Sequence, residues 1–336
     1  MRKTKFQNKV ATKSASFPIT IIITLVFWYV SILISDKTPN TYSPYIENIL
    51  KWIWPKENAY VEVGISFLFT ILIAYAMLEL HNTFSLIRIR TTLVGVIFLW
   101  YMGCCSFLHL MQPGIFLQLC FVALLFNLFS SYQRIEPTKS ICYAFFFCGL
   151  GSLLYPKFIY FLPFLLLGMI QFQSLTIRTF FAGLIGLIIP YCFWAGYQLY
   201  IQDFDKLFNL FTEWTFFSPI DYNILSIDQI AAFCLITVIA LFSAGHYLAN
   251  SFQDKIRVRS YLSFLFITDL FVGVAILLQP VMFNELFSIY IVINSITGAH
   301  LFALTNSKIT NLFFIICIIL SIIIVTIPLW IAYINF

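Results

Sequence analysis

Residues 262–280 read LSFLFITDLFVGVAILLQP, an apolar run that contains one ionisable side chain, Asp269. Its length matches the roughly 20 residues that an α-helix needs to cross the hydrocarbon core of a bilayer. A helix that is apolar around most of its circumference is suited to lipid rather than to water. The stretch therefore predicts a transmembrane helix, and similar runs recur along the chain.

The composition predicts the same class for the whole chain. Of 336 residues, 61% are hydrophobic and only 10% are charged, against about 25% charged residues in a soluble domain. The mean hydropathy is +0.93. Since so few charges cannot coat a water-soluble body of this size, the sequence predicts an all-α, polytopic membrane helix bundle and excludes a soluble globular protein.

Eleven runs are predicted to cross the membrane. The first follows the basic segment MRKTKFQNKVATKS and is interpreted as a retained signal anchor, because no small-x-small cleavage site follows it. The chain is predicted to be one integral membrane domain, residues 1–336, with a basic cytoplasmic segment at 1–16 and the bundle at 17–336. The predicted spans are 17–35, 60–79, 92–111, 114–131, 140–155, 158–172, 179–200, 228–249, 261–279, 286–304 and 311–334.

The distribution of Lys and Arg predicts the orientation. With the N-terminus in the cytoplasm and alternating helices, fourteen of the nineteen Lys and Arg residues fall on the cytoplasmic side. The positive-inside rule therefore favours an N-terminus inside and a C-terminus outside. Because the net charge of +5 lies in short loops and forms no folded basic face, the expected partner is the lipid bilayer and not nucleic acid.

The eight cysteines lie within apolar stretches. None forms a C-x-x-C pair with a histidine nearby, so the sequence predicts neither a zinc site nor a disulfide framework. No metal is expected, and the sequence specifies no cofactor.

Two carboxylates are candidates for intramembrane chemistry, because an ionisable group at bilayer depth is costly and is often functional. Asp269 is flanked by apolar residues on both sides, and Glu62 lies just inside the second predicted span. For Glu62, an interfacial carboxylate is the simpler interpretation. For Asp269, a structural hydrogen bond to a neighbouring helix and a proton or ion relay both stay open. His109, His246 and His300 are isolated from one another in sequence and favour a packing role.

Asp36 and Lys157 are predicted to lie at the same outer membrane face. Asp36 directly follows the first span, and Lys157 lies in an apolar hairpin, Tyr155-Pro156-Lys157. A carboxylate and an ammonium at one interface suit a general base and a phosphate clamp. The alternative is that Lys157 extends to the headgroups and that Asp36 solvates a loop.

Residues 126–194 resemble the middle of the GT-C glycosyltransferases. The shared order is a helix, a basic loop, a glycine- and proline-containing turn with a lysine, an apolar helix with proline, a second basic loop and a helix with proline. Upstream, FLHLMQPGIFLQLCFVALLFNLF resembles a histidine-bearing helix of these enzymes. The likeness covers roughly residues 80–195. The elements that carry it are Gly149, Gly151, Pro156, Lys157, Pro163, Arg178 and Pro190.

Most of the chain also resembles a family of uncharacterised multi-pass inner-membrane proteins of Bacteroidota, which implies the bacterial inner membrane as its location. GT-C enzymes transfer a sugar from a polyprenyl-phosphate donor at the outer face, with an acidic residue of the first outer loop as base and basic residues on the lipid phosphate. The resemblance implies that Asp36 is the catalytic base, that Lys157 binds the lipid phosphate, and that a polyprenyl-phosphate lipid is a partner.

Two other functions stay open. A transporter or flippase of a lipid-linked or small substrate would couple Asp269 or Glu62 to ions or protons. A non-catalytic assembly partner would keep the fold without the chemistry, and it would explain why the first outer loop lacks the paired Asp-Glu followed by Tyr of many GT-C members.

Overall fold

The computed structural model describes residues 6–13, 15–34, 59–202 and 219–334, and every regular element in these ranges is a helix. Twelve of them are α-helices. They are α1 Phe6–Thr12, α2 Ser16–Ile34, α3 Ala59–Phe84, α4 Leu93–Cys104, α5 Pro113–Ser130, α6 Thr138–Leu154, α7 Leu162–Gln171, α8 Ile177–Ile201, α9 Ile227–Asn250, α10 Ile256–Leu278, α11 Phe283–Leu304 and α12 Lys308–Ile334. Short 3-10 helices cover Ser106–Leu108, Pro156–Phe161, Tyr222–Ile224, Ser251–Gln253 and Pro280–Met282.

The helices α2 to α12 coincide with the eleven predicted spans. Seven of the described helices are long and apolar enough to cross a membrane, and the bent pair of α1 and α2 would make eight. The remaining three segments, Leu93–Cys104, Thr138–Leu154 and Pro156–Gln171, are apolar but shorter. The chain is therefore an α-helical, multi-pass membrane protein, and the number of eleven complete crossings stays a prediction.

The third predicted span, 92–111, contains a shorter helix than expected. The helix α4 ends at Cys104, because Cys105 leaves the helical region with φ −101° and ψ 82°. A 3-10 turn follows, and Gln112 donates a hydrogen bond to the Phe107 carbonyl oxygen at 2.5 Å. His109 and Gln112 are buried in this turn, so their side chains close the end of α4 in place of a further helical turn.

The chain divides into two compact units. Of the described residues, 6–13, 15–34, 59–115 and 220–334 form the first unit, and 116–202 and 219 form the second. Both are built from apolar helices. The prediction of a single membrane domain for residues 1–336 is not tested by this division.

The helix α11 is the centre of the first unit. It packs against α4, α9 and α10. Of its most apolar 18-residue stretch, 89% is buried, against 22% of the corresponding stretch of the peripheral helix α12. Because α11 is covered on all sides, its polar residues must find partners inside the protein.

Four segments meet at one end of the first unit, here called the basic end. They are the N-terminal segment 6–13 and the connections 85–92, 251–256 and 305–308. Gln7 Nε2 donates to the Phe302 and Thr305 carbonyl oxygens at 2.6 and 3.0 Å. Thr91 Oγ1 donates to the Ala11 carbonyl oxygen at 2.6 Å. The alternation predicted from the sequence requires these segments to share one side, as they do. That this side is cytoplasmic stays a prediction.

At the opposite end of the first unit, aromatic and amide contacts join the helices. The rings of Trp28 and His109 stack with centroids 4.3 Å apart, and His109 Nε2 lies 3.1 Å from the Met102 carbonyl oxygen. Gln229 donates to Asn284 Oδ1 at 2.9 Å. Both ends of the unit are thus fixed by specific contacts between helices.

The second unit is organised around the close packing of α6 on α8. A Cβ on Gly186 would clash with the Cys142 carbonyl oxygen, and one on Gly149 would lie 2.6 Å from the Leu187 carbonyl oxygen. Small residues at these positions let the two helix backbones approach each other, as is common in membranes. The sequence features that supported the GT-C resemblance thus include Gly149, a glycine with a direct packing role.

Candidate functional site

Four polar residues form a buried stripe along α11: Tyr290, Asn294, Thr297 and His300. Their spacing of four, three and three residues places them on one face of a helix with 3.6 residues per turn. We call them the polar stripe. All four are at most 2% exposed, so the stripe runs through the interior of the first unit and does not face lipid.

Asp269 of α10 meets this stripe at Asn294. Asn294 Nδ2 donates a hydrogen bond to Asp269 Oδ1 at 2.6 Å and a second one to the Tyr290 carbonyl oxygen at 3.0 Å. Asp269 is 7% exposed and lies near the middle of Ile256–Leu278. Within the described residues, Asn294 Oδ1 is buried and has no hydrogen-bond partner. The amide therefore gives the carboxyl a donor and keeps an unused acceptor beside it.

Tyr290 extends the polar surroundings of Asp269. Its ring lies against α10 one turn from the carboxyl, since a Cβ on Gly273 would lie 3.7 Å from it. The Tyr290 hydroxyl donates to Thr237 Oγ1 of α9 at 3.2 Å. Three helices, α9, α10 and α11, thus contribute polar groups to one site inside an apolar bundle.

Farther along α11, the stripe is bonded to α9. Ser243 Oγ donates to the Thr297 carbonyl oxygen at 2.6 Å, and both residues are buried. One turn beyond Thr297, the stripe reaches His300 and the basic end.

At the basic end, His300 belongs to a charged cluster. His300 Nε2 lies 3.1 Å from Asp254 Oδ2, and Arg88 Nε lies 2.9 Å from Asp254 Oδ1. The side chains of His300 and Asp254 are 1% exposed, whereas that of Arg88 is 36% exposed. Arg88 also donates to Gln253 Oε1 at 3.1 Å. The cluster therefore connects a buried imidazole, through a buried carboxylate, to a guanidinium that reaches the surface.

A second histidine lies beside the first. The rings of His246 and His300 have centroids 5.9 Å apart. His246 is half-buried and His300 is fully buried. Among the described residues, the Nδ1 atoms of both rings are buried without a hydrogen-bond partner. The two histidines are isolated from each other in sequence, and the packing of α9 against α11 brings them together.

The other predicted site residues lie elsewhere. Glu62 is half-buried in the first turn of α3, where a carboxylate is favoured by the helix dipole. Lys157 lies in the 3-10 helix Pro156–Phe161 of the second unit, and its Nζ is buried. Asp36 lies outside the described residues. The predicted pairing of Asp36 with Lys157 is therefore untested, and so is the predicted catalytic role.

Sequence reasoning identified Asp269 but missed its partner and the cluster at the basic end. A signal was present, since NSITGAH at 294–300 places three polar side chains at helical spacing within an apolar run. Neither Asp254 nor Arg88 carried such a signal, because each lies in a short polar loop. Within the described ranges, no group of three His, Cys, Asp or Glu residues has a geometry suited to a metal ion.

Comparisons with protein-family models, with curated proteins and with solved structures give no match to this chain. The function of the protein must therefore be inferred from the chemistry of the site itself.

Proposed function

We propose that this chain is a proton-coupled membrane protein of the transporter or flippase class, in which Asp269 takes up and releases the proton. The observation that supports the proposal is the position of the carboxyl, which is buried in mid-helix between α10 and α11 and hydrogen-bonded to Asn294. Ionisable groups at this depth commonly belong to substrate or proton pathways.

The energetics favour a group that changes its charge. Removing a carboxylate from water costs several kcal/mol, and one hydrogen bond to a charged group returns about 1.5–3 kcal/mol. Because these amounts are of similar size, a small movement of Asn294 changes the balance between the charged and the neutral carboxyl. Such a balance is what a coupling residue needs.

The neighbours of Asp269 can serve both of its protonation states. Asn294 Nδ2 donates to the ionised carboxylate, and the unused Asn294 Oδ1 provides an acceptor for the protonated acid. An apolar partner would support only the neutral form. Asn294 is thus suited to a carboxyl that alternates between two states, whereas a purely structural bond requires only one.

The test is a measurement of charge movement. Proteoliposomes adsorbed to a solid-supported membrane are exposed to a sudden change of pH, and the transient current is recorded. The proposal predicts a transient in the wild type that Asp269→Asn abolishes, because an amide cannot bind the proton. Glu79→Gln is the matched control, since Glu79 is an exposed acid on α3, and it should leave the transient unchanged. A transient of wild-type size in Asp269→Asn, or none in the wild type, would overturn the proposal.

A second candidate is a GT-C-like transferase that uses a polyprenyl-phosphate-linked sugar at the outer face. It is favoured by the enclosure of the Lys157 ammonium, whose Nζ is buried in an apolar segment of the second unit. A lysine ammonium in an apolar segment of a membrane protein is suited to a lipid phosphate. In this function Asp36 is the base, as the sequence resemblance implies.

The transferase is tested by complementation of a deletion strain, with the surface glycan profile as readout. Asp36→Asn and Lys157→Gln should abolish glycan transfer at normal protein levels. Lys139→Gln is the control, because Lys139 lies in the first turn of α6, on the side predicted to face the cytoplasm. Full restoration of the glycan profile by Asp36→Asn would exclude the catalytic assignment.

A further inference from the structure

The proton that Asp269 exchanges needs a route to water, and the structure offers one at the basic end of the first unit. His246 is half-buried, His300 is fully buried, and their ring centroids are 5.9 Å apart. Imidazole is the side chain whose ordinary pKa allows it both to accept and to release a proton near neutral pH. A pair of which one member is closer to the surface therefore has the arrangement of a relay.

Asp254 determines which nitrogen of His300 carries the exchangeable proton. An ionised carboxylate only accepts hydrogen bonds, so His300 Nε2, 3.1 Å from Asp254 Oδ2, must be the donor. The second proton then binds at Nδ1, which is buried and has no hydrogen-bond partner within the described residues. Asp254 thus fixes the tautomer and leaves Nδ1 ready for exchange.

The charges around His300 allow both of its states. The groups that act on it electrostatically are Asp254, His246 and Arg88. Burial of the ring opposes an imidazolium, and so do Arg88 and a protonated His246, whereas the Asp254 carboxylate stabilises it. Because Arg88 is itself paired with Asp254, no single charge holds His300 permanently in one form.

The polar stripe continues from His300 toward Asp269. At a rise of about 1.5 Å per residue, Asn294 and His300 are about 9 Å apart along the axis of α11. Thr297 lies between them, about 60° around the helix from each, and Asn294 contacts the Asp269 carboxyl.

We infer that His246 and His300 form the relay through which protons reach Asp269 from the basic end. This inference rests on the proposed function. A proton from water binds His246 and moves through water to Nδ1 of His300, because Nδ1 has no hydrogen-bond partner within the described residues; His246 is then neutral again. Since Nε2 keeps its own proton on Asp254, His300 releases the transferred proton from the same Nδ1, through water beside Thr297, to the carboxylate of Asp269, which becomes the neutral acid. No other bond is formed or broken.

The test uses the same pH-jump measurement but separates the rate of the transient from its size. His300→Gln should leave the total charge of the transient unchanged, because Asp269 is intact. It should slow the transient at least tenfold. Added imidazole should restore the rate of this variant, which a merely structural effect of the substitution would not allow. His246→Gln, at a half-exposed position, should slow the transient without threatening the fold.

His109→Gln is the matched control, since His109 is a buried histidine at the opposite end of the unit and should leave the rate unchanged. A wild-type rate in both His300→Gln and His246→Gln would overturn the relay, and so would slowing that imidazole does not reverse in either variant. In both cases a wild-type transient that needs Asp269 would persist, so the proposed function itself would stand.

Discussion

Asn294 Nδ2 lies 2.6 Å from Asp269 Oδ1 and joins α11 to α10 in the interior of the first unit. The two residues are 25 positions apart in the chain, and each is nearly or fully buried. The bond is a specific contact in a region where packing alone discriminates poorly between neighbouring helices.

The first prediction concerns the stability of this pair. Asn294→Leu should lower the free energy of unfolding by about 1–3 kcal/mol, because it leaves a buried carboxyl without its donor. The double variant Asp269→Leu/Asn294→Leu should recover most of the loss, since two apolar side chains replace a matched polar pair. The stability of both variants is measured by heating the protein in detergent and monitoring the loss of its monodisperse peak in size-exclusion chromatography. Equal losses in the single and the double variant would show that the bond is not the cause.

The second prediction concerns the packing of α6 on α8. Gly186→Val should lower the apparent melting temperature or prevent folding, because its side chain would meet the Cys142 backbone carbonyl oxygen, which cannot move aside as a flexible side chain can. The cost of such overpacking is about 1–3 kcal/mol or more.

Gly196→Val is the control on the same helix, because a Cβ at Gly196 meets no atom within 4 Å. It should change the melting temperature little. Equal sensitivity at the two positions would mean that α6 and α8 are not in close contact.

The third prediction concerns the charged cluster at the basic end. Arg88→Ala should destabilise the first unit by about 2 kcal/mol, because it leaves Asp254 buried without its cation. This loss of stability is smaller than that expected for a fully buried ion pair, since the Arg88 side chain is 36% exposed and water screens its charge. Arg90→Ala, at an exposed position on the same connection, should have no measurable effect. A similar melting temperature for the two variants would contradict the structural role of the Arg88–Asp254 pair.

Much of the fold was predictable because membrane insertion depends on local composition. The structure has a helix at each predicted span, and α9 runs from 227 to 250 against a predicted 228–249. Two helices extend five residues beyond their predicted spans, α3 at its end and α10 at its start. The largest difference was at α4, whose helix ends seven residues early, at Cys104. Its end depends on the buried side chains of the following turn, which hydropathy does not describe.

The candidate site was predictable only in part. Asp269 was identified because a charge among apolar neighbours is visible along one helix. Its partner Asn294 was not, because an uncharged amide is common in such helices. The juxtaposition of His246 with His300 joins residues 54 positions apart, and that of Arg88 with Asp254 joins residues of distant loops. No local pattern encodes either contact.

By itself the sequence determined that this protein resides in a membrane and where its helices lie. Those properties are sums over neighbouring residues, since transfer of a segment into lipid depends on its own side chains. Tertiary structure alone decided which polar groups meet. The rotation of α11 about its axis selects the face that α9 and α10 cover, and this rotation results from packing between helices rather than from the hydropathy of any one of them.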